Sequence, residues 1–227
     1  MDRPEVAILT SEEHKPLAEL CARGIRRFWP EVAPRIYLDT DHTTETPLPP
    51  DLRELVRRVP YLRRPLDLPW RGDSETIYVL DADCFVFRPP TDFSLAAFQG
   101  VPNYMDDLAG IGIWKSLGLG PRPATPLFCG GMYSCPRRLF LDNREMMIAY
   151  LRKCIEAGYD RDEHPGVICE QGLVAGIWRA NLPDNPLDPM RYPIHRMTGQ
   201  QIIFHAGAGK HAPNFGKFLE QYEKFVA

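Results

Sequence analysis

The chain has 227 residues, of which 44% are hydrophobic and 25% are charged, and its formal net charge is −3. These are the values of an ordinary globular domain, and they exclude an intrinsically disordered protein. The balance of 27 basic and 30 acidic residues argues against binding to nucleic acid or to an anionic membrane. No apolar run approaches the ~20 residues of a membrane-spanning helix. We therefore expect one large domain with a sizeable core.

The six cysteines are scattered, without the CxxC pair that is typical of a zinc cluster. The N-terminal residues lack the apolar segment of a secretory signal peptide. We expect reduced, mostly buried thiols and a cytoplasmic location. The 23 prolines are concentrated in three stretches, which the sequence predicts to be long loops: Pro47–Pro69, Pro121–Pro126 and Pro183–Pro193.

The first forty residues predict a strand, a helix and a second strand, which is the start of a parallel α/β sheet. The strands are the apolar runs Val6–Thr10 and Ile36–Leu38, and apolar residues recur at helical spacing from Pro16 to Trp29.

The rest of the chain continues this alternation of strands and helices. The further predicted elements are, in order, a helix at Asp51–Val59, a buried strand at Ile77–Leu80, an extended segment at Phe85–Phe87, a short helix and strand over Leu95–Val101, a strand at Phe128–Ser134, helices at Pro136–Gly158 and Glu170–Arg179, a strand at Ile202–Phe204 and a closing helix at Phe215–Val226. We therefore predict an α/β fold with helices on both faces of its sheet.

Two aspartates, Asp81 and Asp83, follow the buried strand Ile77–Leu80 directly. Carboxylates beside buried strands are costly unless a cation or strong donors compensate their charge. Open α/β sheets bind their ligands at the carboxyl ends of their strands. The motif therefore predicts a divalent metal site that can hold a diphosphate, and hence an enzyme acting on a nucleotide-linked substrate.

Phosphatases of the haloacid dehalogenase type also use a DxD motif. Their motif follows the first strand and has Thr or Val two residues past the second aspartate. Here it comes after about eighty residues, and Phe85 stands at that position. The sequence does not fit this class.

A second cluster of polar residues, His205-Ala-Gly207-Ala-Gly209-Lys210, follows the late strand. Imidazole is a common ligand of Mn²⁺-like metals, glycines allow close backbone approach to a phosphate, and lysine is a compact charge for a diphosphate.

The other histidines are typical of surface or loop positions: His14, His42, His164, His195 and His211. The tryptophans are typical of core or wall positions, and two of them, Trp70 and Trp114, are candidates for stacking on an acceptor sugar.

Five segments in this order resemble the GT-A fold glycosyltransferases of the family-8 (glycogenin and galactosyltransferase-like) group: Val6–Ser11, Ile77–Phe87, Phe128–Tyr133, Cys169–Val174 and His205–Lys210. The resemblance spans most of the chain. It implies one GT-A-type (Rossmann-like) domain over 1–227 with a mainly parallel mixed sheet. Residues 1–100 would form the nucleotide-binding half and 101–227 the sugar and acceptor half.

The resemblance implies that Asp81, Asp83 and His205 bind Mn²⁺ or Mg²⁺ and that Lys210 holds the departing diphosphate. It also implies that Thr10 and Ser11 contact the base or ribose and that Asp106 or Asp107 contacts the sugar hydroxyls. Gly130 and Gly131 would line the sugar pocket, and Gly207 would let the loop approach the diphosphate.

Glu170 and Gln171 would face the anomeric carbon of the sugar. A retaining enzyme would present a weak nucleophile or a positioning amide, such as Gln171. An inverting enzyme would need a carboxylate base, for which the candidates are Glu170, Asp106 and Asp107. The resemblance favours retention. The chain departs from the family in having Cys129 in place of Asn or Asp, Glu170 in place of Asp, and His211–Asn214 in place of an aromatic residue.

We therefore predict a metal-dependent transferase that moves a sugar from a nucleotide sugar, of the UDP-hexose class, to an acceptor that the sequence does not identify. Two alternatives stay open. One is a non-catalytic relative that binds a nucleoside diphosphate. The other is a sugar-1-phosphate nucleotidyltransferase, although that class opens with a glycine-rich basic loop and Thr10–His14 contains no glycine.

Overall fold

A computed structural model of the chain describes residues 3–38, 48–59, 62–71, 74–93, 99–103, 108–118, 127–158, 172–174 and 186–227. The strands of this part are β1 (Glu5–Thr10), β2 (Ala33–Leu38), β3 (Thr76–Asp81), β4 (Cys84–Val86), β5 (Gln99–Asn103), β6 (Leu127–Pro136) and β7 (Ile203–His205). Its helices are α1 (Lys15–Phe28), α2 (Pro50–Arg58), α3 (Arg63–Leu66), α4 (Leu108–Ser116), α5 (Arg137–Asp142), α6 (Arg144–Glu156) and α7 (Phe215–Val226), with short 3₁₀ helices at Leu68–Trp70 and Gly207–His211.

A five-stranded sheet, in the order β2-β1-β3-β6-β5, forms the centre of the described structure. Strand β1 pairs in parallel with β2 and β3, β6 is antiparallel to β3, and β5 is antiparallel to β6. Four strands therefore share one direction and β6 runs against them, which confirms the predicted mainly parallel mixed sheet. All six residues of β1 are buried, as expected for a central strand covered on both faces.

Helices cover both faces of this sheet, as the sequence predicts. Because side chains alternate along a strand, Ala7 and Leu9 of β1 face one core while Val6 and Ile8 face the other. The first core is closed by α2, α5 and α6, and the second by α1.

A small antiparallel sheet of β4 and β7 lies beside the main sheet and is covered by α7. The bounds of α7 match the prediction. Its Tyr222 hydroxyl donates to the carbonyl of Val86 and accepts from the N–H of the same residue, both at 2.8 Å. The closing helix is thereby attached to the strand that follows the paired aspartates.

The helix predicted at Asp51–Val59 is confirmed by α2. The prediction that the stretch Pro47–Pro69 as a whole is a long loop is wrong for its described part. Pro50 begins α2, Pro65 lies in the first turn of α3, and Pro69 lies in the following 3₁₀ helix. Proline is tolerated there because the first N–H groups of a helix have no intrahelical partner.

Two helices also differ from the prediction. The predicted helix Pro136–Gly158 is divided at Asn143 into α5 and α6. Helix α4 was not predicted, because its Gly110 and Gly112 disfavour a helix. Of Glu170–Arg179, only 172–174 is described, and it is helical.

The described cysteines fit the expectation of reduced thiols: Cys21, Cys84, Cys129, Cys135 and Cys154 are all free and buried. Among the described helices, none is both long and apolar enough to cross a membrane.

Candidate active site

The two aspartates lie at the carboxyl end of a central strand, as predicted. Strand β3 ends at Asp81, a turn carries Ala82 and Asp83, and β4 begins at Cys84. The Asp83 side chain is only 8% exposed and that of Asp81 is 24% exposed. Both carboxylates are therefore partly desolvated and need compensating charge.

His205 meets both aspartates from the other strand of the small sheet. Strand β7 pairs with β4 so that Cys84 lies opposite His205. The Nε2 atom of His205 lies 3.2 Å from Asp81 Oδ2 and 3.3 Å from Asp83 Oδ1. Each of the three residues offers one ligand atom, and these atoms lie within 4.8 Å of one another. Two carboxylates and an imidazole fit a hard or borderline divalent cation such as Mn²⁺.

Two cations flank the aspartates. Lys210 Nζ lies 3.8 Å from Asp83 Oδ2, and the side chain of Lys210 is one-third exposed. On the other side, the buried guanidinium of Arg64 forms an ion pair with Asp81 and donates to the carbonyl of Gly130 at 2.9 Å. No sequence pattern points to Arg64, because α3 lies in a stretch predicted to be loop.

The side chain of His205 is fixed at both ring nitrogens. Its Nδ1 lies 3.2 Å from the Sγ of Cys129, which is buried in β6, while its Nε2 faces the aspartates. An imidazole that binds a metal through Nε2 carries its proton on Nδ1, and the partner of Nδ1 fixes the orientation of the ring. Cys129 is that partner here.

Charge and burial act against each other on these groups. Burial alone favours the neutral carboxyl of Asp81, but Arg64 and His205 outweigh it, so the pKa of Asp81 is well below its usual range. Burial likewise lowers the pKa of His205, but Asp81, Asp83 and the contact with Cys129 raise it well above the ordinary value of 6.5. The contacts of His205 with the two carboxylates therefore favour its positively charged form.

Gly131 provides the space in which this cluster fits. It precedes Met132 in β6, and Met132 pairs with Leu80 of the antiparallel strand β3. Gly131 therefore lies next to Asp81, the residue that follows Leu80. A Cβ atom at this position would lie 2.5 Å from Cε1 and 2.8 Å from Nε2 of His205, and would also meet Asp81 Oδ2. Only glycine allows the strand to pass this close to Asp81, Asp83 and His205. These three residues are here named the metal-ligand cluster, because their side chains could together hold a metal ion.

A cavity of about 280 Å³ opens from this cluster toward the end of β1. Its wall is formed by Leu9, Thr10, Ser11, His14, Leu17, Asp81, Ala82, Asp83, His205, Gly207 and Lys210. The structure thus brings together seven of the predicted site residues in one cavity, with Gly130 and Gly131 in the adjoining strand. His14, assigned to the surface or a loop by the sequence analysis, also lines it, and its Nδ1 lies 3.0 Å from Ser11 Oγ.

No protein-family model and no curated protein matches the chain. Several solved glycosyltransferases share its fold. The galactosyltransferase LgtC, in complex with donor and acceptor sugar analogues, has a TM-score of 0.61 at 9% identity, over 98% of this chain and 95% of its own. A glycosyltransferase involved in glycosylation of the major capsid of PBCV-1 has a TM-score of 0.56 at 12% identity, and the match covers 98% of this chain and 99% of that one. GlyE of Streptococcus pneumoniae has a TM-score of 0.56 at 10% identity, and the match covers 100% of this chain and 62% of GlyE.

The chain has the GT-A glycosyltransferase fold. Identities of 9–12% establish this fold and no more.

Within the GT-A fold, the predicted residues of the sugar and acceptor side lie outside the described part of the chain: Asp106, Asp107, Glu170 and Gln171. Trp114 is a core residue and not a stacking platform, because it is 5% exposed, stacks on Tyr150 at 4.4 Å and donates to the carbonyl of Gly172. The side chain of Trp70 is outside the described part.

Proposed function

We propose that the chain is a metal-dependent glycosyltransferase that moves a hexose from a UDP-sugar to an acceptor with retention of configuration. The observation that carries this proposal is the cluster of Asp81, Asp83 and His205 at the carboxyl end of β3, in a GT-A fold and beside Lys210. We also propose that residues 1–100 bind the nucleotide, that residues 101–227 bind the sugar and acceptor, and that the protein is cytoplasmic.

Sugar transfer from a nucleotide sugar requires stabilisation of the leaving diphosphate above all. A divalent ion, Mn²⁺ or Mg²⁺, supplies Lewis-acid stabilisation of that charge. The carboxylates of Asp81 and Asp83 and the Nε2 of His205 are the groups that would hold it. Lys210, exposed enough to leave Asp83, would bind the diphosphate as a second positive charge. Arg64 keeps the Asp81 carboxylate in place.

The cavity beside the cluster has the composition of a nucleoside site. Thr10 and Ser11 offer hydroxyl groups for a base or ribose, and Leu9 and Leu17 offer apolar surface. Gly130 and Gly131 would line the pocket for the donor sugar, and Gly207 would let the loop approach the diphosphate. These assignments are proposals that follow from the cavity and from the resemblance.

Our proposal for the residues that face the anomeric carbon of the sugar rests on the sequence. Gln171 would act as a weak nucleophile or a positioning amide, while Glu170, Asp106 and Asp107 are the alternative carboxylates. One solved structure of LgtC is of an active-site mutant in which glutamate replaces glutamine. An active-site glutamine in a protein of the same fold supports the choice of Gln171.

The test is Mn²⁺-dependent hydrolysis of a panel of UDP-sugars, with Asp83→Asn as the variant. Loss of one charged ligand is expected to lower turnover on the order of 100-fold or more. Asp142→Asn is the matched control, because Asp142 is exposed at the end of α5. The donor is found first by thermal shift with Mn²⁺, since a ligand at about 100 times its Kd adds ~2.7 kcal/mol of stability.

Four outcomes would change this assignment. If no UDP-sugar binds with Mn²⁺, or if Asp83→Asn turns over like the wild type, the proposal is wrong. Binding without turnover would favour the non-catalytic relative. Formation of a nucleotide sugar from a sugar 1-phosphate would favour the nucleotidyltransferase. The anomeric configuration of the product, read by NMR, tests retention.

A further inference from the structure

His195 has an unusual backbone conformation. Among the described residues, it is the one residue other than glycine with a positive φ, at 66°. This left-handed region is uncommon for residues other than glycine, and histidine enters it more often than most residues where local contacts hold it there. Such a residue points to a specific contact.

The contacts of His195 are with the segment that carries His205. The backbone N–H of His195 donates to the carbonyl of His205 at 2.9 Å, and the N–H of His205 donates to the carbonyl of Pro193 at 3.0 Å. The Nδ1 of His195 lies 3.2 Å from the carbonyl oxygen of Ala206. Because a carbonyl only accepts, this contact requires the hydrogen on Nδ1.

The ring and backbone of His195 also press against two glycines. A Cβ atom on Gly207 would lie 2.5 Å from Cε1 and 2.6 Å from Nδ1 of His195. A Cβ atom on Gly209 would lie 2.7 Å from the carbonyl oxygen of His195. The chain from Ala206 to Lys210, here named the diphosphate loop, therefore rests directly on His195.

We propose that His195 is a positioning residue that fixes the diphosphate loop, and so holds Lys210 where it meets the diphosphate of the donor. His195 is exposed and does not line the cavity, whereas Gly207 and Lys210 do. It therefore acts through the loop and not on the ligand. The inference rests on the proposed function for the identity of the ligand.

The backbone of His195 bonds to His205, but the ring of His205, the proposed metal ligand, is held independently of the His195 ring. His205 lies in β7 and is held by its pairing with β4 and by the contact of its ring with Cys129. Lys210 lies five residues further on, at the end of the diphosphate loop. A change at His195 should thus affect binding of the diphosphate more than binding of the metal alone.

The test compares His195→Gly, His195→Asn and Arg196→Ala by calorimetric titration with Mn²⁺ alone and with UDP at saturating Mn²⁺. Glycine keeps the positive φ but removes the ring and its donor. It is expected to weaken UDP binding about three- to ten-fold, as the loss of one hydrogen bond does, with Mn²⁺ affinity and Tm unchanged. Asparagine tolerates this φ and places an amide N–H near Nδ1, so it should restore binding to within about two-fold. Arg196 is exposed, and Arg196→Ala should change neither affinity.

Each other outcome decides against the inference. If His195→Gly binds UDP like the wild type, His195 only forms a turn. If it weakens Mn²⁺ and UDP in equal proportion, or lowers Tm, its role is structural. If the wild type binds Mn²⁺ but no UDP, the proposed function is wrong and the inference is overturned with it.

Discussion

Gly131→Ala is the sharpest test of how the metal-ligand cluster is built. The added Cβ would lie 2.5 Å from Cε1 and 2.8 Å from Nε2 of His205, where carbon atoms normally lie about 3.5–4.0 Å apart. One group must therefore move by about 1 Å. His205 is held by Cys129 and Asp81 by Arg64, so neither moves freely. We expect a loss of about 1–3 kcal/mol in the free energy of unfolding, the cost of overpacking a buried site.

The same displacement should remove His205 from the ligand set and weaken Mn²⁺ binding by at least about ten-fold. Mn²⁺ affinity is measured by electron paramagnetic resonance of the free ion, and stability by urea unfolding. Gly216→Ala in α7 is the control, because its Cβ would meet nothing within 4 Å. The control should keep its Mn²⁺ affinity and gain up to about 1 kcal/mol of stability. A Gly131→Ala variant with wild-type Mn²⁺ affinity and stability would refute the reasoning.

Two further predictions concern pH and the closing helix. Because the pKa of His205 is raised in the folded state, its contribution to stability is fully present below 6.5 and is lost as the pH rises through the folded pKa. Mn²⁺ competes with that proton, so Mn²⁺ affinity should rise up to about ten-fold per pH unit over the same range, and a flat profile would contradict this. Tyr222→Phe leaves the N–H and carbonyl of Val86 without their hydroxyl partner and should cost about 1–3 kcal/mol in urea unfolding. An unchanged midpoint would show that the bond contributes nothing.

The sequence predicts the strand ends that carry the two polar motifs, because the signals for them are local. The apolar, β-branched run that ends in Asp81-Ala-Asp83 predicts a buried strand with a polar end, and in the structure β3 ends at Asp81. The Gly207–Lys210 segment likewise follows a short strand, as predicted. The pairing of β4 with β7, which joins the two motifs across more than a hundred residues, was not predicted. The resemblance implied only that the two motifs share one metal.

The contacts that the sequence missed are those that depend on tertiary structure. Arg64 reaches Asp81 from a short helix in a proline-rich stretch, where prolines in first turns were read as loop. No sequence motif or spacing marks His14 or His195 as part of the site. Their places follow from a turn after β1 and from a strained residue beside β7, and neither is visible in a periodicity.

The closing helix α7 is part of the site even though the described cavity wall contains none of its residues. The proposed metal ligands come from two sheets, because Asp81 ends β3 of the large sheet while His205 ends β7 of the small one. What joins them is β4, which follows Asp83 directly and pairs with β7. Strand β4 is three residues long, too short to be stable alone, and α7 covers it and bonds to its last residue through Tyr222. The geometry of the metal-ligand cluster therefore depends on α7 as well, because α7 supports the strand that joins Asp83 to His205.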